Sequence, residues 1–401
     1  MDKEIAELSE RAREDAKAYP KKRFVFAQIA RYLPQRIFIA LVGPRGAGKT
    51  IILKQILLET KNCIYISLDT QKPENGIFSF AKQAEEEGVK LLLLDEVHAY
   101  PGFEMEIKKI SDFLKINVAF TSSSSISLHD SSYDLSRRIR PVYVPPFSLR
   151  EFIYFEKNES IPPLSFEGLL SETAAKEYYG NTIHSEALFE RYLQFRNYPF
   201  ALGKTDLPPI FRNMLETIIN RDIILTGRAT PQEAMDMRRL MAFIANSPVE
   251  NMSYTTIAKN LNITRYKAEK YCELFEKAFV LKRVRPKGTN VLQEPKILLA
   301  LPYRLLYKNY RDCIGAVRED FFTDSMKFLG FGINYLKSER GRKTPDYVID
   351  DAVIEVGGIG KSPSQFKGYP AKKRIILTHP GKIDALCRPL YMAGMLEKST
   401  M

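Results

Sequence analysis

Over its first 150 residues the chain alternates short, unbroken apolar blocks with longer stretches in which apolar residues recur every three or four positions. Strands are expected at about 37–42, 62–68, 90–95, 116–121 and 141–145, and the aliphatic run at 90–95 suits a strand buried on both faces. With helical periodicity between them, the pattern predicts an α/β fold, a doubly wound parallel sheet with helices on both sides. Residues 1 to about 34 read as one or two helices packed beside that core, completing a segment 1–155. From 156 to 230 the pattern is helical. From 231 to 292 it predicts helices over Ala234–Ala245, Tyr254–Leu261 and Thr264–Lys277, the last capped by Thr264, then an apolar-basic run Phe279–Arg285 with Lys287 and Gly288. In the last segment, 293–401, a helix-like stretch spans Arg318–Phe328, and strands begin at Pro345 and Ala352.

The loop after the first block reads Gly43-Pro44-Arg45-Gly46-Ala47-Gly48-Lys49-Thr50, a complete G-x-x-x-x-G-K-T. Glycines let the backbone curl so that its N–H groups point inward at phosphates; Lys49 adds a point charge and Thr50 a hydroxyl for Mg²⁺. This is a nucleoside triphosphate site between a strand and a helix. Downstream, Leu91-Leu92-Leu93-Leu94-Asp95-Glu96 ends a buried strand in two carboxylates. Asp95 would hold the Mg²⁺ shell, and Glu96 would orient or activate the attacking water.

With these two motifs, the strings Tyr65–Asp69, Leu92–His98, Ala119–Ser124, Leu135–Arg138 and Pro145–Phe152 resemble one family. It is the prokaryotic AAA-type ATPases, related to the STAND group, that carry a carboxyl-terminal winged helix and a PD-(D/E)XK, restriction-endonuclease-like domain. The resemblance covers nearly the whole chain and is strongest over residues 35–155. It implies ATP and Mg²⁺ as ligands, and hydrolysis carried by Lys49 and Glu96. It places a γ-phosphate sensor at Ser122 or its neighbours, although a serine-rich loop alone would also give the run Ser122–Ser125. It also implies an arginine finger, best matched by Arg138, that would act across a homo-oligomer interface. A solvated or DNA-facing cluster of Arg137, Arg138 and Arg140 is the other reading of that stretch. In the expected helical lid over 156–230, Pro199 would neighbour the base, but Arg196 and Asn197 stand where the family has two glycines.

Residues 231–292 resemble a winged helix. Eight basic residues against three acidic ones between 264 and 290 favour phosphate contact, with Arg265, Lys267 and Lys270 as candidate DNA contacts beside Tyr266. The alternative is a regulatory lid on the nucleotide domain. Residues 293–401 resemble the nuclease-like core, in which Glu319, Asp346 and Glu355 would converge on one divalent metal, with Gln365 on the following helix. The family's lysine stands two positions after the last carboxylate, and Gly357 occupies that place. Lys361 is the candidate to swing in from the loop.

Composition adds one constraint. The 401 residues carry a net charge of +12, with 60 Lys and Arg against 48 Asp and Glu, and a pI near 9.3. An anionic partner, most commonly duplex DNA, or simply a basic surface explains such a balance. Cys63, Cys272, Cys313 and Cys387 lie far apart without metal-ligand spacing, which suits a reducing compartment. No apolar run approaches the ~20 residues of a membrane span, and the charged, amphipathic amino end is unlike a secretory signal. A cytoplasmic protein with no membrane partner is expected.

Overall fold

The computed structural model describes residues 3–122, 137–182, 186–288, 294–336, 344–366 and 371–397, apart from the side chains of Asn251 and Gln365. The chain packs into two units, Met1–Pro146 and Phe147–Met401.

The first unit is built on five parallel strands, β1 (Phe38–Val42), β2 (Cys63–Ser67), β3 (Leu91–Asp95), β4 (Asn117–Ser122) and β5 (Ile139–Tyr143), in the order β2-β3-β4-β1-β5. Every residue of β1 and β3 is buried, as their unbroken apolar runs require. Helices α1 (Lys3–Ala16), α2 (Val25–Tyr32), α3 (Lys49–Glu59), α4 (Gly76–Glu86) and α5 (Phe103–Phe113) complete it. β2 is an edge strand, and α1 covers it: the Tyr65 N–H donates to Ser9 Oγ at 3.0 Å. Arg13 on the same helix reaches the carbonyls of Leu57 and Thr60 at the end of α3 and of Cys63 at the start of β2.

The second unit holds a mixed seven-stranded sheet. Its strands are β6 (Leu281–Pro286), β7 (Lys296–Leu299), β8 (Ile333–Tyr335), β9 (Tyr347–Ile349), β10 (Ala352–Gly357), β11 (Lys373–Thr378) and β12 (Cys387–Pro389), in the order β12-β11-β10-β9-β8-β6-β7. Phe147, Leu149 and Phe152 join the same buried cluster as Phe321, Ile354 and Leu377. The chain therefore enters the second unit at Phe147, ahead of the expected boundary at 155. The helices Pro231–Asn246, Tyr254–Leu261 and Arg265–Lys277 form where the periodicity places them, and Thr264 caps the last by accepting from the Lys267 N–H at 3.2 Å. A capping box between Thr230 and Glu233 starts the first of them earlier than the expected Ala234.

β6 pairs antiparallel with β7 and parallel with β8, so the expected segments 231–292 and 293–401 share one sheet instead of closing separately. The buried Arg304 guanidinium reinforces that continuity. It bonds Asp320 at 2.5 and 3.1 Å and the Ile244 and Ala245 carbonyls, both at 3.1 Å, at the end of the helix Pro231–Asn246. Removing one partner of such a pair strands a buried charge, at a cost of about 3–5 kcal/mol. Among the described residues, no helix is long and apolar enough to cross a membrane.

Candidate nucleotide site

The parallel register sets three strand ends level: Val42 lies beside Ser122, and Leu94 beside Phe120. The loop Gly43–Gly48 leaves the first of these ends and runs directly into α3, so its N–H groups are those of a helix amino terminus. Gly43 is tightly constrained, because a Cβ there would run into the Val144 carbonyl oxygen. Gly48 adopts φ 90°, a conformation that any side chain would strain. Gly43, Pro44 and Ala47 are buried, Arg45, Gly48 and Thr50 partly exposed, and Gly46 exposed. Lys49, only 4% exposed, donates to the carbonyls of Gly43 and Pro44 at 2.8 and 2.9 Å. An ammonium at that place has carbonyl partners that phosphate oxygens can replace.

Asp95 is buried at the end of β3, where its two oxygens accept hydroxyls from neighbouring strands: Tyr65 from β2 at 2.8 Å, and Thr121 from β4. Thr121 Oγ1 also accepts the Glu96 N–H at 2.8 Å. One threonine thus fixes both acidic residues. Burial, and then the Asp95 carboxylate, push the Tyr65 phenol far up, so it stays a hydroxyl donor. Glu96 itself sits at φ 53°, a left-handed conformation rarely taken by non-glycine residues, and its Oε2 lies 3.2 Å from His98 Nε2. Ser122 is fully buried one position beyond Thr121; Ser123, Ser124 and Ser125 lie outside the described residues. Neither Thr121 nor Tyr65 was given the role of orienting Asp95 from the sequence, since that role depends on strand register.

The AAA domain family matches residues 35–153. These residues contain the loop, both acidic residues and all five strands in the order found here. The chain carries an AAA-type P-loop ATPase domain. A second family, a domain of unknown function (DUF8612), matches residues 186–300. The chain is also similar to the uncharacterized protein MJ1637 of Methanocaldococcus jannaschii, 28% identical over 418 residues that span 91% of this chain and 86% of that protein. Among solved structures it is similar to the Walker-type ATPase PABY2304 of Pyrococcus abyssi, at 14% identity over 71% of this chain and 94% of that one, TM-score 0.43. It is similar too to the Thermotoga maritima RuvB Holliday junction branch migration motor, at 15% identity over 69% and 89%, TM-score 0.32.

Within the AAA domain, Arg138 lies just before β5, and its carbonyl accepts the Phe38 N–H at the start of β1. That is the end of the sheet opposite the P-loop. Its guanidinium pairs with Asp112 at 2.8 Å, so it faces away from its own chain's phosphate loop. Leu135 and Ser136 lie outside the described residues. Pro199 belongs to the second unit, where it opens a short turn, Pro199–Ala201, after a widened helical turn over Tyr192–Arg196. Asn197, standing where a family glycine was expected, is buried; it donates to the Leu301 carbonyl at 3.1 Å and accepts the Phe147 N–H at 2.7 Å.

Two of the candidate DNA contacts carry ion pairs. Arg265 pairs with Glu294 at 2.6 Å and Glu269 at 3.5 Å, and Lys270 with Glu233 of the capping box at 3.2 Å. Arg265 stays exposed in these pairs, and Lys270 partly exposed. Lys267 remains partly exposed beside the strongly exposed Tyr266.

In the carboxyl-terminal sheet, Glu319, Asp346 and Glu355 approach one another without forming the expected metal seat: among the described residues, no group of three or more His, Cys, Asp or Glu could hold a metal ion. One oxygen of each carboxylate is bonded by another group. Glu319 Oε2 accepts from Lys296 Nζ and from the Tyr347 hydroxyl, each at 2.6 Å. Asp346 Oδ2 accepts the Val356 N–H at 2.9 Å, and Glu355 Oε1 is bonded by Lys361 Nζ. The Lys361 stem lies over Gly357, where an added Cβ would stand 2.5 Å from its Cγ and Cε. The lysine from the loop therefore occupies the space of the side chain that Gly357 lacks. Burial, then the Glu319 and Glu355 charges, push the Asp346 carboxyl up to about 7. Burial also raises Glu355 despite Lys361. For Lys361, burial works the other way, but the charges of Asp346 and Glu355 outweigh it and the ammonium is held above its usual range. Gln365 falls in the short turn Pro363–Phe366, and its side chain lies outside the described residues.

Proposed function

We propose that this protein is a Mg²⁺-dependent ATPase whose nucleotide cycle is coupled to its carboxyl-terminal unit. What supports the reading above all is the P-loop ammonium of Lys49 facing carbonyls at the head of α3, in a domain whose β3 ends in a hydroxyl-oriented Asp95 and then Glu96. The Thr50 hydroxyl and Asp95 carboxylate are hard oxygen donors, and Asp95 keeps lone pairs beyond those its two hydroxyl partners use. Held by Thr50 and Asp95, Mg²⁺ would supply positive charge to the phosphates. Lys49 and the loop N–H groups hold the phosphates, and Glu96 takes the proton of the attacking water as the bond to the ADP leaving group breaks. The test is steady-state ATP hydrolysis with and without duplex DNA, run beside mass determination in nucleotide.

One observation favours a second reading, a nucleotide-dependent switch that turns over little and recruits protein partners. The Glu96 carboxylate rests against His98 and must leave it to meet water. Tight copurifying nucleotide without turnover would select the switch.

Arg138 is proposed as a residue acting in trans, since it faces away from its own P-loop. Mixing Arg138→Ala with Glu96→Gln chains is expected to restore part of the hydrolysis each lacks alone, because some interfaces then pair an intact Glu96 with an intact Arg138. Activity independent of protein concentration, with no recovery on mixing, would count against it.

We further propose that the helices over 231–277 with the strands β6 and β7 act as a winged helix toward duplex DNA, and that the sheet carrying Glu355 is nuclease-like with weak or absent cleavage. The basic surplus over 264–290 and the exposed Tyr266 support the first part. For the second, the likeness rests on the Glu319–Asp346–Glu355–Lys361 arrangement. Lys267→Ala is expected to flatten the salt dependence of DNA binding by about one in slope. Lys270→Ala is expected to leave that slope unchanged and instead lower thermal stability, since its ammonium serves Glu233. Equal effects of the two on the slope would return Lys270 to the contact surface.

A further inference from the structure

Arg23 is a buried cation of the first unit, only 6% exposed, and it lies between α1 and α2. One arm of its guanidinium, Nη1, donates to the Ala47 carbonyl inside the P-loop. The other, Nη2, donates to the carbonyls of Pro145 at 2.8 Å and Pro146 at 3.2 Å, the last two residues before the chain enters the second unit. A second, independent contact joins the same two segments. Gly43, the first P-loop glycine, packs so closely on the Val144 carbonyl that no side chain fits between them, and the Val144 N–H bonds Val42 at 2.7 Å.

A trans peptide points its C=O and the following N–H in opposite directions. Fixing the Ala47 carbonyl toward Arg23 therefore fixes the Gly48 N–H the other way. That N–H lies in the run that cradles phosphate at the head of α3. The prolines cannot donate, so their carbonyls are the polar groups this exit segment offers, and a guanidinium with its fixed fork can bind both sides at once.

We propose that Arg23 is a positioning residue that sets the Gly48 N–H for phosphate and carries P-loop movement to the Val144–Pro146 exit, so that nucleotide occupancy is felt where the second unit begins. The inference rests on the reading of the first unit as a nucleotide-binding ATPase. The Pro145–Pro146 carbonyls move with the Ala47 peptide because one rigid, buried cation holds all three. A lysine could keep one of these bonds but not the fork.

The experiment uses the full-length chain with Arg23→Lys and Arg23→Ala, a fluorescent ATP analogue for affinity, and hydrogen exchange of peptides covering 142–152 with and without saturating nucleotide. In the parent protein, nucleotide should change exchange at the Val144 and Phe147 amides. Arg23→Ala should bind roughly tenfold more weakly, as expected for one lost charge-assisted bond, and at saturation should lose that exchange change. Arg23→Lys should recover most of the affinity without recovering the exchange response, a split that a merely structural arginine would not produce. If Arg23→Ala does not fold, the lysine variant decides alone. A nucleotide-dependent exchange change that persists in both variants, or its absence from a parent protein that binds nucleotide, would overturn the inference. A parent that binds no nucleotide would instead remove the ATPase reading itself.

Discussion

Glu96→Gln is expected to lower ATP turnover by about 10²–10⁴-fold while leaving ATP bound, and Lys49→Ala to abolish productive phosphate binding. The two substitutions separate because they act on different bonds. Glutamine keeps the shape of Glu96 and its backbone bond to Thr121, but cannot take a proton from water. Alanine at position 49 leaves the carbonyls of Gly43 and Pro44 without their ammonium and gives the γ-phosphate no cation. Equilibrium binding of a labelled ATP, followed by single-turnover hydrolysis, distinguishes them: retained binding without a burst for Glu96→Gln, lost binding for Lys49→Ala. Near-parental turnover in Glu96→Gln would remove this carboxylate from the mechanism. Thr121→Val offers a graded check. It keeps volume but frees both the Asp95 oxygen and the Glu96 N–H, so it should fall between parent and Glu96→Gln in rate.

The P-loop was legible in the sequence because its chemistry is contiguous: glycines, lysine and threonine must follow one another to wrap a phosphate, and a buried strand and a helix must flank them. The strands β1 and β3 were legible for a similar reason, each being a local apolar block. What escaped is what register and packing create. Tyr65, Asp95 and Thr121 meet because β2, β3 and β4 run in parallel with their ends aligned, and nothing local to Tyr65 announces that its hydroxyl will end beside Asp95. Arg23 is still less visible, one of three consecutive cations in Lys21-Lys22-Arg23, of which this one turns inward. In the second unit, Glu319 was found without Lys296, because which side chain of β7 faces the helix Tyr310–Phe328 is set by packing and by no local motif. The opposite held for Lys361: a missing side chain at Gly357 left a hole whose occupant could be guessed. Arg265 and Lys270 carry ion pairs to Glu294 and Glu233 that a count of charges cannot reveal.

Asp346→Asn is expected to stabilise the protein above pH 7 and to leave it unchanged near pH 4. The sign follows from proton counts. In the folded chain the carboxyl is pushed up to about 7 by burial and by Glu319 and Glu355; in the unfolded chain it titrates at about 3.9. Between those values the folded state holds a proton that the unfolded state has released, so folding weakens by about 1.4 kcal/mol for each pH unit climbed. Below the unfolded value both forms are protonated and the cost vanishes; above 7 it is fully present. The accumulated penalty is on the order of 2–4 kcal/mol, which for a unit this size is roughly 5–10 °C in melting temperature. Asparagine keeps an oxygen for the Val356 N–H and has no charge to set against Glu319 and Glu355. Thermal unfolding of parent and variant at pH 4, 6 and 8 reads the window directly: the curves should diverge as pH rises, with the parent falling. A parent whose stability is flat over that range, or a variant no more stable at pH 8, would mean that Lys296 and Lys361 neutralise the cluster and that Asp346 is ionised throughout. The divergence would instead mark a carboxyl held near neutrality at the cost of stability, in the middle of two lysines and two other carboxylates. Such a group can gain or lose a proton at working pH, which is the property a reactive site needs and a merely structural one does not.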